Sequence, residues 1–206
     1  MVRTRDVRID DAILTATVDL LGTVGYQQLT MGAVAAEAGV HRPAVYRRWP
    51  SKQHLVVEAV ARHLGVTPTP DTGDLRHDLV TGMTTLVHAL SGTALGRALP
   101  ALVADLAADP DLAGEFRRRV FDPRRETTAA TLRSAMERGE IDPAVDVDFV
   151  LDALAAPLYY RALFGHLPLT ESLAEHAVDT VLAAVARQYA GRQQSPSADS
   201  AAPGSR

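Results

Sequence analysis

Apolar residues recur along this chain at intervals of three and four, the spacing of helices that bury one face. Nowhere do they sustain the alternation that marks a strand. Ile13, Ala16, Thr17, Leu20, Leu21 and Val24 form the first stripe, on a helix predicted over 10–24 and closed by Gly25. A short helix follows over 31–38 with Thr30 as its N-cap, and Gly39 ends it in a turn that a residue without Cβ adopts most easily. Pro43 fits the first turn of the next helix, where its missing N–H costs nothing. Ser51 caps a further helix with the stripe Leu55, Val56, Ala59, Val60 and Leu64.

A turn-rich stretch over 66–73 leads to Asp74, the cap of a helix carrying Leu75, Leu79, Met83, Leu86, Val87 and Leu90. Further helices are predicted over 94–107, from Asp109-Pro110 to Arg138 with a break at Asp122-Pro123, over 147–164 with a bend at Pro157, and over 171–189. The expectation is an all-α chain of about nine helices. It divides into an N-terminal domain over 1–50, a larger helical domain over 51–190, and a tail over 191–206. That tail has almost nothing to bury and is expected to be disordered.

Composition narrows the function. With 206 residues, 47% of them hydrophobic, the chain can bury a sizeable core. It has no apolar run of about 18 residues and no apolar leader after Met1, which predicts a cytoplasmic protein. The absence of cysteine removes disulfides, thiolate metal sites and a cysteine nucleophile. The net charge of −4 hides an asymmetry: residues 1–63 hold eight basic against six acidic side chains, and the remainder thirteen against nineteen. A mildly basic head on an acidic body suits a protein that offers one end to phosphates.

An enzyme is the weaker alternative. No His-Glu-x-x-His, Gly-x-Ser-x-Gly or phosphate-binding glycine loop occurs. Asp146, Asp148 and Asp152 lack the glycine and closing glutamate of a calcium loop, and are expected to cap and charge the start of the 147–164 helix. No metal site and no cofactor are expected.

Helix, glycine turn and a short arginine-bearing helix form the pattern of a helix-turn-helix, whose second helix enters the major groove. The stretch from Leu29 to Lys52 resembles the DNA-binding signature of the tetracycline-repressor (TetR) family. Gly39-Val40, Tyr46, Trp49 and Ser51-Lys52 stand at the family's spacing, and the approach from Gly22 to Tyr26 matches as well. Arg138-Gly139-Glu140-Ile141 and Pro157-Leu158-Tyr159-Tyr160-Arg161 resemble one subgroup of the family's C-terminal domains. One departure stands out: His41 occupies the position where the family usually has Ser or Thr, so its operator cannot be borrowed from relatives.

Candidate DNA contacts are Thr30, His41, Arg42, Pro43, Tyr46, Arg47, Lys52 and Arg5. Arg42 and Arg47 can present a bidentate fork to guanine, against the alternative of a solvated helix face. The resemblance implies a phosphate contact for the Tyr46 hydroxyl. Lys52 joins a cation to a helix N-terminus, a natural phosphate site, and Thr30 acts likewise or simply caps. Arg3, Arg5 and Arg8 precede the first stripe, as an arm for the minor groove or a solubilising tail. Trp49 is read as core, and Arg48 as serving the backbone or surface.

The last two helices carry wide apolar faces: Phe149, Leu154 and Leu158 on one, Leu173, Ala177, Val181 and Val185 on the other. Pairing them with a second chain gives a four-helix bundle, the arrangement that the resemblance implies. Met83, Val87, His88, Leu102, Phe116, Phe121 and Tyr160 are candidates for a ligand pocket, or else plain core. The reading is a repressor that binds a palindromic operator as a dimer and is released by a small molecule, repression and release being implied by the resemblance alone. The alternative within the class is a dimer without ligand sensing.

Overall fold

The computed structural model describes residues 2–193, with side chains over 7–185 apart from Leu95. Every regular element among them is helical: α1 (Val2–Thr23), the single turn α2 (Gly25–Gln28), α3 (Met31–Glu37), α4 (Arg42–Tyr46), α5 (Lys52–Leu64), α6 (Leu75–Leu90), α7 (Ala94–Ala108), α8 (Pro110–Phe116), a π-helical segment (Arg117–Phe121), α9 (Asp122–Glu137), α10 (Val147–Phe164) and α11 (Glu171–Gln193). Without the single turn, and with α8 through α9 taken as one continuous run, these are the expected nine helices.

Two boundaries differ from expectation. α1 starts at Val2, so Arg3, Arg5 and Arg8 stand on helical backbone instead of a free arm. That stretch has no glycine or proline to stop a helix, and no apolar stripe by which periodicity would reveal one. The break expected at Asp122-Pro123 is absent, because the preceding turn widens to hold the proline. The Asp122 N–H donates to the Arg117 carbonyl five residues back, giving one π turn inside a continuous helix. The tail expectation over 194–206 lies outside the described residues.

Capping is where local chemistry and fold agree. Thr30 accepts from the Ala33 N–H at 3.1 Å, Ser51 from His54, Asp74 from His77 at 2.9 Å and Asp146 from Phe149 at 3.1 Å. Gly39, at φ +64°, ends α3 with the Val40 N–H on the Ala35 carbonyl and its own N–H on Ala36. This double closure turns the chain toward α4.

The apolar side chains gather in two cores. One joins α1, α3, α4 and α5 around Ile13, Leu21, Val34, Val45 and Leu55, and takes Ala98, Leu102, Leu112 and Val120 from farther along the chain. The other joins α6, α9, α10 and α11 around Leu79, Leu132, Leu154, Leu158 and Val178. The segment between α5 and α6 is pinned: Thr69 is buried with its hydroxyl 2.8 Å from that of Thr128, and Asp78 accepts from the N–H and hydroxyl of Thr72.

Candidate nucleic-acid interface and internal cavity

α4 is five residues long, too short to hold itself in water, and is fixed from behind by tertiary contacts. Val45 is fully buried, and Trp49, just beyond the helix, is buried with its indole N–H donating to Glu58 of α5 at 2.8 Å. Arg48 ties the helix end to α1 through Asp10 and also donates to the Ala44 carbonyl at 3.1 Å. With these anchors inward, His41, Arg42, Pro43, Tyr46 and Arg47 are all exposed on the outer side of the turn and helix. His41 makes no side-chain cap bond, as expected of a residue that replaces Ser or Thr there. The Arg42 guanidinium lies against Gly32 of α3.

Lys52 is engaged within the protein. Its ammonium donates to the Tyr26 carbonyl at 3.0 Å and stands 4.7 Å above the Tyr26 ring. Tyr26 itself is buried, and its hydroxyl donates to Asp105 of α7; burial and that carboxylate push its pKa well up. The Arg97 side chain adds a bond to the Gly22 carbonyl at 3.3 Å, so α7 holds the α1–α2 corner at two points. The side chain of Arg5 lies outside the described residues.

Below this head, the end of α5 and the segment after it, with α6, α7, α8, the π segment, α9 and α10, line a partly open cavity of about 130 Å³. Of the residues singled out from sequence, Met83, Phe116 and Phe121 line it. Leu102 and Val87 are buried in the cores away from its wall. His88 is a correction: it projects outward to Glu171, 2.8 Å away, because it falls one position past Val87 on the outer side of α6. Tyr160 is a second, exposed and packed against Phe164 and His166, while its neighbour Tyr159 faces the cavity. Leu151, Ala155 and Tyr159, spaced by four, mark that face in the sequence.

Sequence reasoning also missed the cavity's two arginines. Arg125 is paired with Asp148 at 3.0 Å and Asp152 at 2.5 Å. Arg124 donates to the carbonyls of Val120 at 2.6 Å and of Gly65, the C-cap of α5. The signal available was their position directly after Pro123, at the start of a helix whose other face carries core residues.

The residues expected at a dimer interface are placed mostly inside the protomer. Leu154, Leu158, Leu173, Ala177, Val181 and Val185 are all buried, because α6 lies against α11 and covers the stripe that seemed to need a partner. Phe149 alone of that set is exposed, at 70%. It continues on the outer face of α10 with Ala156, Tyr160 and Phe164. Among the described residues no helix is long and apolar enough to cross a membrane, and no group of His, Asp or Glu is arranged to hold a metal ion.

Comparison with known proteins agrees with this architecture. Residues 13–59 match the model of bacterial regulatory proteins of the tetR family, and residues 69–181 a tetracyclin repressor-like C-terminal domain. The uncharacterized HTH-type transcriptional regulator YdeS of Bacillus subtilis is 31% identical over 162 residues, 78% of this chain and 81% of its own. The DNA-binding transcriptional repressor TetR of Mycobacteroides abscessus is 32% identical over 181 residues, covering 85% and 93%. The crystal structure of the TetR family transcription regulator SCO0332 superposes with a TM-score of 0.71 at 35% identity, over 86% of this chain and 98% of that one. These relatives are named as transcription regulators and not as enzymes. Two family models that together span both cores, and relatives above 30% identity over most of the length, place this chain in the tetracycline-repressor family of helix-turn-helix transcription regulators.

Proposed function

We propose that the chain is a ligand-responsive repressor that binds a palindromic operator as a homodimer and releases it when a small molecule enters the cavity. The observation that carries the DNA half is the one-sided exposure of α4: His41, Arg42, Pro43, Tyr46 and Arg47 face outward while Val45 and Trp49 are buried. Arg42 and Arg47 read base edges, Tyr46 and Thr30 meet phosphate, and Lys52 contributes charge near the first turn of α5. Arg5 approaches the duplex from the free end of α1.

The outer face of α10 carries the dimer. Phe149, Tyr160 and Phe164, with Leu167 beyond the helix, leave large apolar side chains in water on one side of a folded protomer. A second copy covers them with the same face. The largely apolar cavity, partly open to solvent, favours an effector over the alternative of a dimer that only assembles. TetR-family regulators bind operators as dimers and respond to small effectors, in keeping with this reading.

Selection of binding sites from random DNA by the full chain tests it. The expected result is a palindrome with half-site centres about one helical turn apart. Recovery of no enriched site, or of a single unpaired half-site, overturns it.

A further inference from the structure

The cavity wall has an uneven charge. It carries two arginines and no carboxylate, in a lining otherwise made of apolar side chains and threonines. Arg125 is compensated from outside by Asp148 and Asp152. Among the described residues Arg124 has no carboxylate within ion-pair distance; its donors go to two backbone carbonyls. Burial pushes its pKa down, opposed by its interaction with Tyr159.

Tyr159 lines the same cavity, and among the described residues its hydroxyl has no hydrogen-bond partner. Its electrostatic interaction is with Arg124. Of the lining threonines, Thr67 is exposed and the others are committed elsewhere: Thr69 to Thr128, Thr127 to the Arg124 carbonyl and Thr85 to that of Thr81. Among the described residues no polar side-chain atom is both buried and unpaired, so the lining groups best placed to meet a ligand's head are the Arg124 charge and the solvent-reached Tyr159 hydroxyl. Leu86, Leu99, Phe116, Phe121 and Leu151 offer only apolar contact. The volume, about 130 Å³, is close to the roughly 150 Å³ of an apolar cavity that admits benzene.

We infer that the cavity takes a monoanion with an apolar body the size of one aromatic ring, and that Arg124 binds its carboxylate or phenolate head with Tyr159 donating beside it. The inference rests on the effector reading above and adds the ligand's class and its route to DNA. Arg124 holds the Gly65 carbonyl at the C-terminal end of α5, and the other end of α5 follows the recognition helix α4. A carboxylate is a stronger acceptor for a guanidinium than a neutral carbonyl. An anion in the cavity draws Arg124 away from Gly65, loosens that end of α5 and shifts its N-terminal end and α4.

Benzoate, neutral benzamide and cationic benzamidine, titrated into the full chain by calorimetry, differ mainly in head-group charge. Benzoate is expected to bind at least tenfold more tightly than the other two. Arg124→Gln should erase the preference while benzamide binding persists, and benzoate should release the selected operator from the wild-type chain but not from the variant. If Arg124→Gln fails to fold, Tyr159→Phe substitutes: it should weaken benzoate several-fold and leave benzamide unchanged, and equal loss for both overturns the proposal. Benzamide binding as tightly as benzoate, or a preference that survives Arg124→Gln, overturns the anion and leaves the effector reading standing. Failure of all three to bind or to raise the melting temperature removes the effector reading and the proposal together.

Discussion

The Arg42 guanidinium folds back across Gly32, so close that a Cβ on Gly32 would stand 2.6 Å from Nη2 and 2.9 Å from Cζ. A base-reading candidate on α4 is thus stored against the first turn of α3, in space that only a glycine leaves open. Gly32→Ala should move the far end of that flexible side chain at little cost and favour the helix, raising stability by up to about 1 kcal/mol. Operator affinity should change nonetheless. Urea melts and gel shifts on the selected operator check both halves; unchanged affinity means that Arg42 leaves Gly32 on DNA in any case.

Arg42 and Arg47 are distinguishable by salt. A residue that only meets phosphate should lower affinity evenly across sequences when replaced by alanine, and reduce the slope of log K against log salt by about 1. One that reads guanine should cost about 1–3 kcal/mol and relax selectivity at one position. Fluorescence anisotropy at several salt concentrations, on the operator and single-base variants, assigns each arginine.

The bond from Tyr26 to Asp105 joins the α1–α2 corner to α7, and its donor is a group whose pKa is raised by burial and by the carboxylate. Above the ordinary tyrosine value of 10.0, the unfolded chain loses the phenolic proton while the folded chain keeps it. Stability therefore falls as pH climbs past 10. Tyr26→Phe should cost about 1–3 kcal/mol at neutral pH, because a hydrogen bond to a charged group is lost. It should also flatten the alkaline decline. Tyr159, raised in the same direction, keeps part of that slope. Denaturant midpoints from pH 7 to 11 measure it.

Substitutions on the two sides of α10 should separate assembly from folding. Phe164→Glu, at a position 69% exposed, is expected to leave the melt of the protomer nearly unchanged and to give monomers in sedimentation. Leu158→Ala, at a position with no exposure, should cost about 2–5 kcal/mol through the cavity it leaves. A dimer unaffected by Phe164→Glu would place the interface elsewhere.

What was legible in the sequence and what was not follow one physical division. Caps at Thr30, Ser51, Asp74 and Asp146 and the turn at Gly39 depend on residues three or four apart, so they could be read directly. The helix-turn-helix was readable because its apolar anchors and exposed arginines share one short stretch. Which stripe of α10 faces inward depends on α6 and α11, more distant in the chain, and there the reading chose the protomer's own core for the interface. Tyr160 and His88 were misplaced by a single position, about 100° around a helix. Nothing local announced that Arg124, after Pro123, would reach the end of α5.

The π turn over Arg117–Phe121 is in effect a one-residue slip between two helices that share an axis. Taking one residue out of it would put the Asp122 N–H four residues beyond the Arg117 carbonyl it already meets, an ordinary α-helical turn, with α8 and α9 keeping their places. Arg124 would then stay on the cavity wall, and the change would fall on side chains within the turn, Val120 and Phe121 among them. The extra amino acid is thus absorbed where it stands: it widens one turn of the cavity wall and leaves the reach of Arg124 to Gly65 as it is, a dislocation that the chain carries without moving the helices on either side.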